Sequence, residues 1–326
     1  MAYKESVYKK AKAVLEERRN EAQRQRDARH SAAVLKCPEI LKTEEEMAMC
    51  GTGVIKAVAL GESGTDYIDK LSKKSREVQA KRKMLLKEAG FPEDYLDVKY
   101  TCSVCNDTGF NGAYYCECYK KLIKETAKEE LAVSAQLKKC TFDSFKTKVY
   151  PDITDEVLGI SQKEHMENVL EYCQDWARYF TRKSQGLIML GKTGLGKTHL
   201  SLAIAGTVID RGYNVYYGSV PNIMNKLEKE HFGRTPSDEN LLDELCECDL
   251  LILDDLGAEF STQFTVAQLY NILNTRMINS LPTIISTNLS MREIEEKYTQ
   301  RVASRIVGSF VPVSFCGRDV RQILNS

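Results

Sequence analysis

Residues 191–198, GKTGLGKT, have the residue types and spacing of a loop that binds nucleotide phosphates. The apolar run LIML precedes the loop and the helical pattern THLSLAIAGTVID follows it, which is the order that this motif requires. Glycines let the backbone curl until its amides face phosphate oxygens. Lys197 is predicted to reach the β- and γ-phosphates, and Thr198 to bind Mg²⁺. The other residues predicted to surround the nucleotide are Gly191, Lys192, Thr193, Gly194, Leu195, Gly196 and His199.

A second motif, LLILDDLG at residues 250–257, is an apolar run that ends in two acids. The carboxyl ends of parallel strands meet at one edge of a sheet, beside the phosphate loop. We therefore expect Asp254 to hold Mg²⁺ with Thr198, and Asp255 to polarise the attacking water. Asn288, at the end of PTIISTN, is predicted to orient that water. The alternative is that the aspartates only cap a turn.

Four arginines near the carboxyl end fall into two pairs. In RVASRI, Arg301 and Arg305 lie one helical turn apart on one face. In GRDVR, Arg318 and Arg321 follow the last apolar run. Each is either a surface ion pair or a contact to phosphate. We predict that Arg305 reaches the nucleotide of a neighbouring subunit and that Arg321 senses its own; the roles of Arg301 and Arg318 stay open.

Four cysteines form the pattern Cys102-x-x-Cys105 and Cys116-x-Cys118, which suits one tetrahedral zinc ion. Gly109 relaxes the turn after the first pair, so that backbone amides can face sulfur, and YYCEC is predicted as the returning strand of a hairpin. Four protein ligands leave no open position, so the zinc would be structural. The alternatives are four unrelated buried cysteines or a redox C-x-x-C pair.

The elements that must position these residues follow from hydrophobic periodicity. Helical patterns cover residues 3–35, 38–60, 66–89 and 119–138. From residue 161, helices alternate with short apolar runs, which predicts an α/β domain with a parallel sheet. The five candidate strands are GLIMLG, NVYYGS, DLLILDD, PTIISTN and FVPVSF. We expect a helical N-terminal domain over residues 1–139, with a zinc module at about 100–120, and an ATPase domain over 140–326.

Composition excludes several classes of protein. The chain has 326 residues, enough for two domains, and a net charge of zero, so any nucleic-acid contact must be local. No apolar run approaches the roughly 20 residues that span a bilayer. The charged N-terminus lacks the apolar core of a secretory signal. Because eleven cysteines occur without an export signal, we expect a cytoplasmic protein with no membrane partner.

Together, GKTGLGKTHLSLAIA, LLILDDLGAEF, PTIISTNLS, RVASRI and GRDVR resemble the bacterial helicase-loader ATPases of the DnaC and DnaI type and their IstB-type relatives in transposition. The resemblance covers about residues 140–326. It implies an AAA+ P-loop domain with a five-stranded parallel sheet and no full helical lid. The pair Asp254–Asp255 departs from the Asp-Glu usual among AAA+ proteins, which leaves Glu259 as a second candidate for activating water.

The resemblance further implies an ATPase that uses ATP, Mg²⁺ and Zn²⁺ and loads a DnaB-type hexameric helicase onto single-stranded DNA during replication. The zinc module would grip the helicase, and the ATPase domain would self-associate. Residues 216–234 would face the pore of the oligomer, or else form an ordinary amphipathic helix. The candidates there for DNA contact are Tyr217, Lys226, Lys229, Phe232 and Arg234.

Two other functions remain open from the sequence. One is an IstB-type transposition helper ATPase, and the other is a helicase adaptor that is switched by nucleotide without hydrolysing it.

Overall fold

The computed structural model describes residues 3–59, 65–131, 134–154, 159–231, 233 and 241–320. The chain divides into two compact units, one of residues 10–120 and one of residues 1–9 with 121–326. The division between residues 139 and 140 stays a prediction.

The first three helices are α1 (Glu5–Lys36), α2 (Glu39–Ala59) and α3 (Thr65–Glu88), close to the predicted ranges. Pro38 separates α1 from α2, because its ring disrupts a continuing helix but suits the start of the next. Helices α2 and α3 pack against each other. Ile40 and Leu86 are fully buried and form a small apolar core with neighbouring side chains.

A hairpin of β1 (Phe110–Asn111) and β2 (Tyr114–Tyr115) follows, and its strands are antiparallel. The predicted returning strand YYCEC is thus shorter than expected, since α4 (Glu117–Glu130) starts within it. The single helix predicted over 119–138 is also wrong, because α4 ends at Glu130 and α5 (Ser134–Lys139) begins at Ser134. Serine is more favourable at the start of a helix than in its interior, which fits the start of α5 at Ser134.

The five predicted strands are confirmed as β3 (Gly186–Leu190), β4 (Val215–Ser219), β5 (Leu250–Leu256), β6 (Thr283–Thr287) and β7 (Phe310–Ser314). They form one parallel sheet in the order β4-β5-β6-β3-β7. Residues 250–254 of β5 are all buried, as expected for a strand with helices on both faces. The carboxyl ends of β5, β6 and β3 therefore lie side by side.

The helices that accompany this sheet are α6 (Gln162–Arg178), α7 (Lys197–Asp210), α8 (Val220–His231), α9 (Leu241–Glu247), α10 (Gln263–Ile278), α11 (Met291–Tyr298) and α12 (Gln300–Ser309). Near the end of α7, the carbonyl of Ile209 accepts a hydrogen bond from the Tyr3 hydroxyl at 2.6 Å.

The predicted fold class is confirmed in its architecture: the chain has an α/β part with a five-stranded parallel sheet and a phosphate loop after its strand β3, and an N-terminal helical part. Residues 315–320, the described residues after β7, do not build a helical lid. None of the helices in the described ranges has the length and apolar character that crossing a membrane needs.

Candidate nucleotide-binding site and cysteine cluster

The phosphate loop leaves β3 after Leu190 and leads into α7 at Lys197. Gly194 and Gly196 have φ angles of 82° and 91°, in the left-handed region that glycine tolerates. A Cβ on Gly196 would lie only 2.7 Å from the ring of Phe145. The loop thus needs glycine for its conformation and for close packing, and it presents the N-terminus of α7, where anions are stabilised.

The ammonium of Lys197 lies within this loop. Its Nζ donates hydrogen bonds to the carbonyls of Gly191 at 2.6 Å and Lys192 at 2.8 Å, and the residue is only 6% exposed. An ammonium held beside inward-curling amides gives the loop a positive charge that fits a phosphate group.

Asp254 lies at the end of β5 and is buried. Its carboxylate accepts hydrogen bonds from Thr198 Oγ1 at 3.0 Å, from the Tyr217 hydroxyl and from Ser286 Oγ. Burial, followed by the charge of Asp254, raises the pKa of Tyr217 well above its usual range. The structure thus brings together Thr198 and Asp254, the two residues predicted to hold Mg²⁺. Hydroxyl and carboxylate oxygens are suitable ligands for this ion.

Asp255 has an unusual backbone conformation. The pairing of β5 with β6 shifts register between Leu253 and Leu256, and Asp255 between them has φ 55°. Its N–H donates to Ser286 Oγ at 3.0 Å, and its side chain is exposed at the cavity beside the phosphate loop. Aspartate tolerates the left-handed region better than most residues. This backbone conformation suits an aspartate at position 255.

Glu259 has other partners. Its buried carboxylate accepts hydrogen bonds from the N–H of Gly257 at 3.0 Å and from the hydroxyl of Tyr298. These bonds fasten the chain after β5 to α11. The structure therefore gives Glu259 a role in fixing this loop and does not support it as the residue that activates water.

A cavity of about 590 Å³ opens beside the phosphate loop and is bordered by aromatic side chains. The ring of Phe145 lies 6.0 Å from Tyr150 and 5.3 Å from His199, between ring centroids. The Tyr150 hydroxyl donates to the carbonyl of Leu195 at 2.9 Å. A cavity of this size, with a cationic loop at one side and an aromatic wall at another, fits a nucleotide.

The remaining predicted site residues are not among the described residues that line the cavity beside the phosphate loop. Asn288 is exposed directly after β6, which lies between β5 and β3, so it stands at the same sheet edge as the two aspartates. Arg301 and Arg305 are exposed on α12, and neither is among the described residues that line the cavity beside the loop. Arg318 is exposed after β7, and Arg321 lies outside the described residues.

The residues predicted to contact DNA have different surroundings. Tyr217 is buried against Asp254, so it cannot stack on a base, and that interpretation is wrong. Lys226 and Lys229 are exposed on α8. Phe232 and Arg234 lie outside the described residues.

The four cysteines of the pattern converge. Their sulfur atoms all lie within 4.8 Å of one another, and no other such group of ligands is found in the described ranges. The Cys102 and Cys116 sulfurs are 3.8 Å apart, and those of Cys105 and Cys118 are 3.4 Å apart. Sulfurs bound to one tetrahedral zinc at about 2.3 Å are separated by about 3.8 Å. The cluster is therefore compatible with zinc.

The chain around the cluster supports this geometry. The backbone N–H groups of Cys105 and Val104 lower the pKa of the Cys102 thiol to about 7, whereas burial raises the pKa of the Cys118 thiol. Asp107 has φ 56°, and its carboxylate accepts hydrogen bonds from the N–H groups of Thr101 and Cys102. The amides that face the Cys102 sulfur are those of Val104 and Cys105, within the first cysteine pair, whereas the prediction placed them in the turn after Cys105. Sequence reasoning also did not find the part played by Asp107.

The central part of the chain is similar to a known protein family. Residues 171–307 match the model of a family described as IstB-like ATP binding protein. This stretch contains the phosphate loop and both aspartates of β5, and the resemblance predicted from sequence is confirmed.

Curated relatives include replicative helicase loaders. The chain is 29% identical over 143 residues to the "Replicative helicase loader DnaC" of Escherichia coli (strain K12), covering 44% of this chain and 58% of that protein. It is 26% identical over 247 residues to the "Replicative helicase loader DnaI" of Bacillus subtilis (strain 168), covering 69% of this chain and 76% of that protein.

Among solved structures, that titled "Crystal structure of the DnaC helicase loader" aligns with a TM-score of 0.46 and 20% identity, over 56% of this chain and 99% of that chain. By sequence, residues 171–307 match the family described as IstB-like ATP binding protein, within a chain that is similar to bacterial replicative helicase loaders.

Proposed function

We propose that this protein is an ATP-dependent loader of a DnaB-type replicative helicase onto single-stranded DNA. The observation that carries the proposal is the contact of Thr198 with Asp254 below a cavity that fits a nucleotide. The similarity to DnaI supports the loader function specifically. It covers 69% of this chain, which is a larger share than residues 140–326 make up. The similarity therefore reaches into the N-terminal part.

The proposed chemistry is hydrolysis of ATP to ADP and phosphate. The loop amides and Lys197 hold the phosphates, while Thr198 and Asp254 would hold Mg²⁺ directly or through water. When bound, Mg²⁺ neutralises negative charge on the β- and γ-phosphates. Asp255 orients a water molecule and accepts its proton, and Asn288 fixes that water from the neighbouring strand.

Two arginines complete the proposed site. Arg305, exposed on α12, reaches the γ-phosphate bound by a neighbouring copy, so hydrolysis requires self-association through the ATPase domain. Arg321 senses the nucleotide of its own subunit. Removal of an arginine finger commonly lowers the rate about 10³-fold or more. Hydrolysis weakens the grip on DNA and releases the loader, and the exposed Lys226 and Lys229 contribute to that grip.

We assign helicase binding to the N-terminal helices and the zinc module over residues 1–139. Cys102, Cys105, Cys116 and Cys118 hold a structural zinc that stabilises this small module. The metal takes no part in hydrolysis, since four protein ligands leave it no open position.

A steady-state ATPase assay with single-stranded DNA tests the enzymatic part. We expect Mg²⁺-dependent turnover by the wild type, little by Lys197→Ala, and wild-type turnover by Lys183→Ala, which alters a lysine outside the motifs. Equal rates for wild type and Lys197→Ala would contradict hydrolysis at this site and favour the nucleotide-switched adaptor.

Co-purification tests the partner. We expect the full chain to capture a DnaB-type helicase and to place it on single-stranded DNA in the presence of ATP. Capture of a transposase without a helicase would instead favour the IstB-type transposition function.

A further inference from the structure

The chain beyond β7 returns to the phosphate loop. The N–H of Phe315 donates to the carbonyl of Leu190 at 2.7 Å, and the N–H of Val320 donates to the carbonyl of Gly194 at 3.0 Å. Two backbone hydrogen bonds thus hold residues 315–320 along the loop that is proposed to bind phosphates.

Asp319 is the acidic side chain of this segment, and its carboxylate lies against Gly194. A Cβ added to Gly194 would lie 2.0 Å from Asp319 Oδ1 and 2.5 Å from Oδ2. Both carboxylate oxygens therefore occupy the space beside the loop that a side chain at position 194 would fill. Residue 194 must be glycine for this contact as well as for its φ of 82°.

The phosphate loop beside that carboxylate suits an anion. Lys197 brings an ammonium into the loop, and the N-terminus of α7 adds the positive end of a helix dipole. Val320, next to Asp319, lines the cavity together with Gly194, Lys197 and Thr198. The segment that carries Asp319 thus borders the space in which a triphosphate would bind.

We propose that the Asp319 carboxylate is an internal anion that competes with the phosphates of a nucleotide for this loop. This inference rests on the proposed function and adds a residue that sets its nucleotide affinity. A triphosphate must move Asp319 away from Gly194 before it occupies the loop, because two like-charged groups so close together repel each other. Asp319 therefore keeps the affinity for ATP low.

The expected effect is measurable. Neutralising one carboxylate a few ångströms from a triphosphate is expected to raise affinity about tenfold at low salt. The gain is expected to shrink above about 0.3 M NaCl, because salt screens charges separated by more than a few ångströms.

The experiment is a titration of the full-length protein with a fluorescent N-methylanthraniloyl ATP analogue at low and high salt. Asp319→Asn is expected to bind about tenfold more tightly than wild type at low salt. Asp319→Glu retains the charge and is expected to remain near wild type. Asp175→Asn, an exposed carboxylate on α6 outside both the phosphate loop and residues 315–320, serves as the matched control and is expected to equal wild type.

Equal or weaker binding by Asp319→Asn would overturn the inference. If wild type binds, Lys197→Ala does not, and Asp319→Asn equals wild type, the proposed function survives and only the inference fails. If neither wild type nor Asp319→Asn binds, the proposed function fails and the inference with it. Thermal unfolding without nucleotide verifies that Asp319→Asn is folded. If Asp319→Asn does not fold, Asp319→Ser provides a second neutral variant.

Discussion

The hydroxyl of Tyr217 on β4 donates a hydrogen bond to Oδ2 of Asp254 on β5 at 2.5 Å. From the other side, Ser286 on β6 donates to Oδ1 of the same carboxylate. The proposed Mg²⁺ ligand is therefore oriented by the two strands that flank its own. Groups that orient metal ligands in this way commonly change metal affinity about 10- to 100-fold when they are removed.

We predict that Tyr217→Phe, which removes only the hydroxyl, raises the Mg²⁺ concentration needed for half-maximal hydrolysis about tenfold. Binding of an ATP analogue without Mg²⁺ should remain unchanged, because the phosphate loop is intact. Mg²⁺ titrations of both hydrolysis and analogue binding measure this difference. Tyr216→Phe makes the same change on the same strand and should have no such effect. Loss of metal-free binding by Tyr217→Phe would show a structural role instead.

The left-handed conformation of Asp255 leads to a second prediction. Asp255→Asn should lower hydrolysis about 100-fold or more, since it removes the base, while nucleotide affinity and stability remain near wild type. Asparagine tolerates φ 55° as aspartate does. Asp255→Glu restores the usual acid but should lower the free energy of unfolding by about 1 kcal/mol. Steady-state assays measure the hydrolysis rates of the two variants, and urea unfolding measures their free energies of unfolding. An Asp255→Glu variant more stable than wild type would contradict this account.

Metal analysis of the purified protein should find one zinc per chain. Cys105→Ser should lower this content and lead to loss of structure around residues 100–118, because zinc binding there contributes to folding. ATP-analogue binding should persist, since the phosphate loop lies outside the cluster. Cys37→Ser, a cysteine outside the cluster, should retain the zinc. A metal-free wild type that resists proteolysis at residues 100–118 would refute the assignment.

Arg276 on α10 is 1% exposed, and its guanidinium donates hydrogen bonds to the carbonyls of Leu245, Cys248 and Pro282. Burial lowers the pKa of Arg276. Arg276→Met should lower the free energy of unfolding by at least about 3 kcal/mol, because it takes away a charged hydrogen-bond donor from three buried carbonyls. Arg292→Met removes an exposed arginine and should change the free energy of unfolding by less than about 0.5 kcal/mol. Urea unfolding of both variants measures the difference.

Local patterns predicted the elements of the sheet well. The five apolar runs are strands because each is flanked by helical periodicity, and the loop at 191–198 has a spacing that few other structures require. The break between α4 and α5 was missed because periodicity continues through residues 119–138 even though the helix does not.

Long-range contacts were not predictable in the same way. Tyr217 was assigned to DNA because it is an aromatic residue in a stretch with lysines, but the pairing of β4 beside β5 directs its hydroxyl to Asp254. Ser286 belongs to no motif of its own, so its hydrogen bond to Asp254 depends on the order of the strands. Asp319 and Arg276 likewise gain their contacts from the order of strands and from chain segments distant in sequence.

The hydrogen bond from Tyr3 to Ile209 has a mechanical consequence. Helix α7 has 14 residues and spans about 20 Å, with Lys197 and Thr198 in its first turn and Ile209 in its last. A helix of this length moves largely as a stiff rod. A force applied at Tyr3 would therefore be transmitted along α7 to the phosphate loop at the other end of this helix.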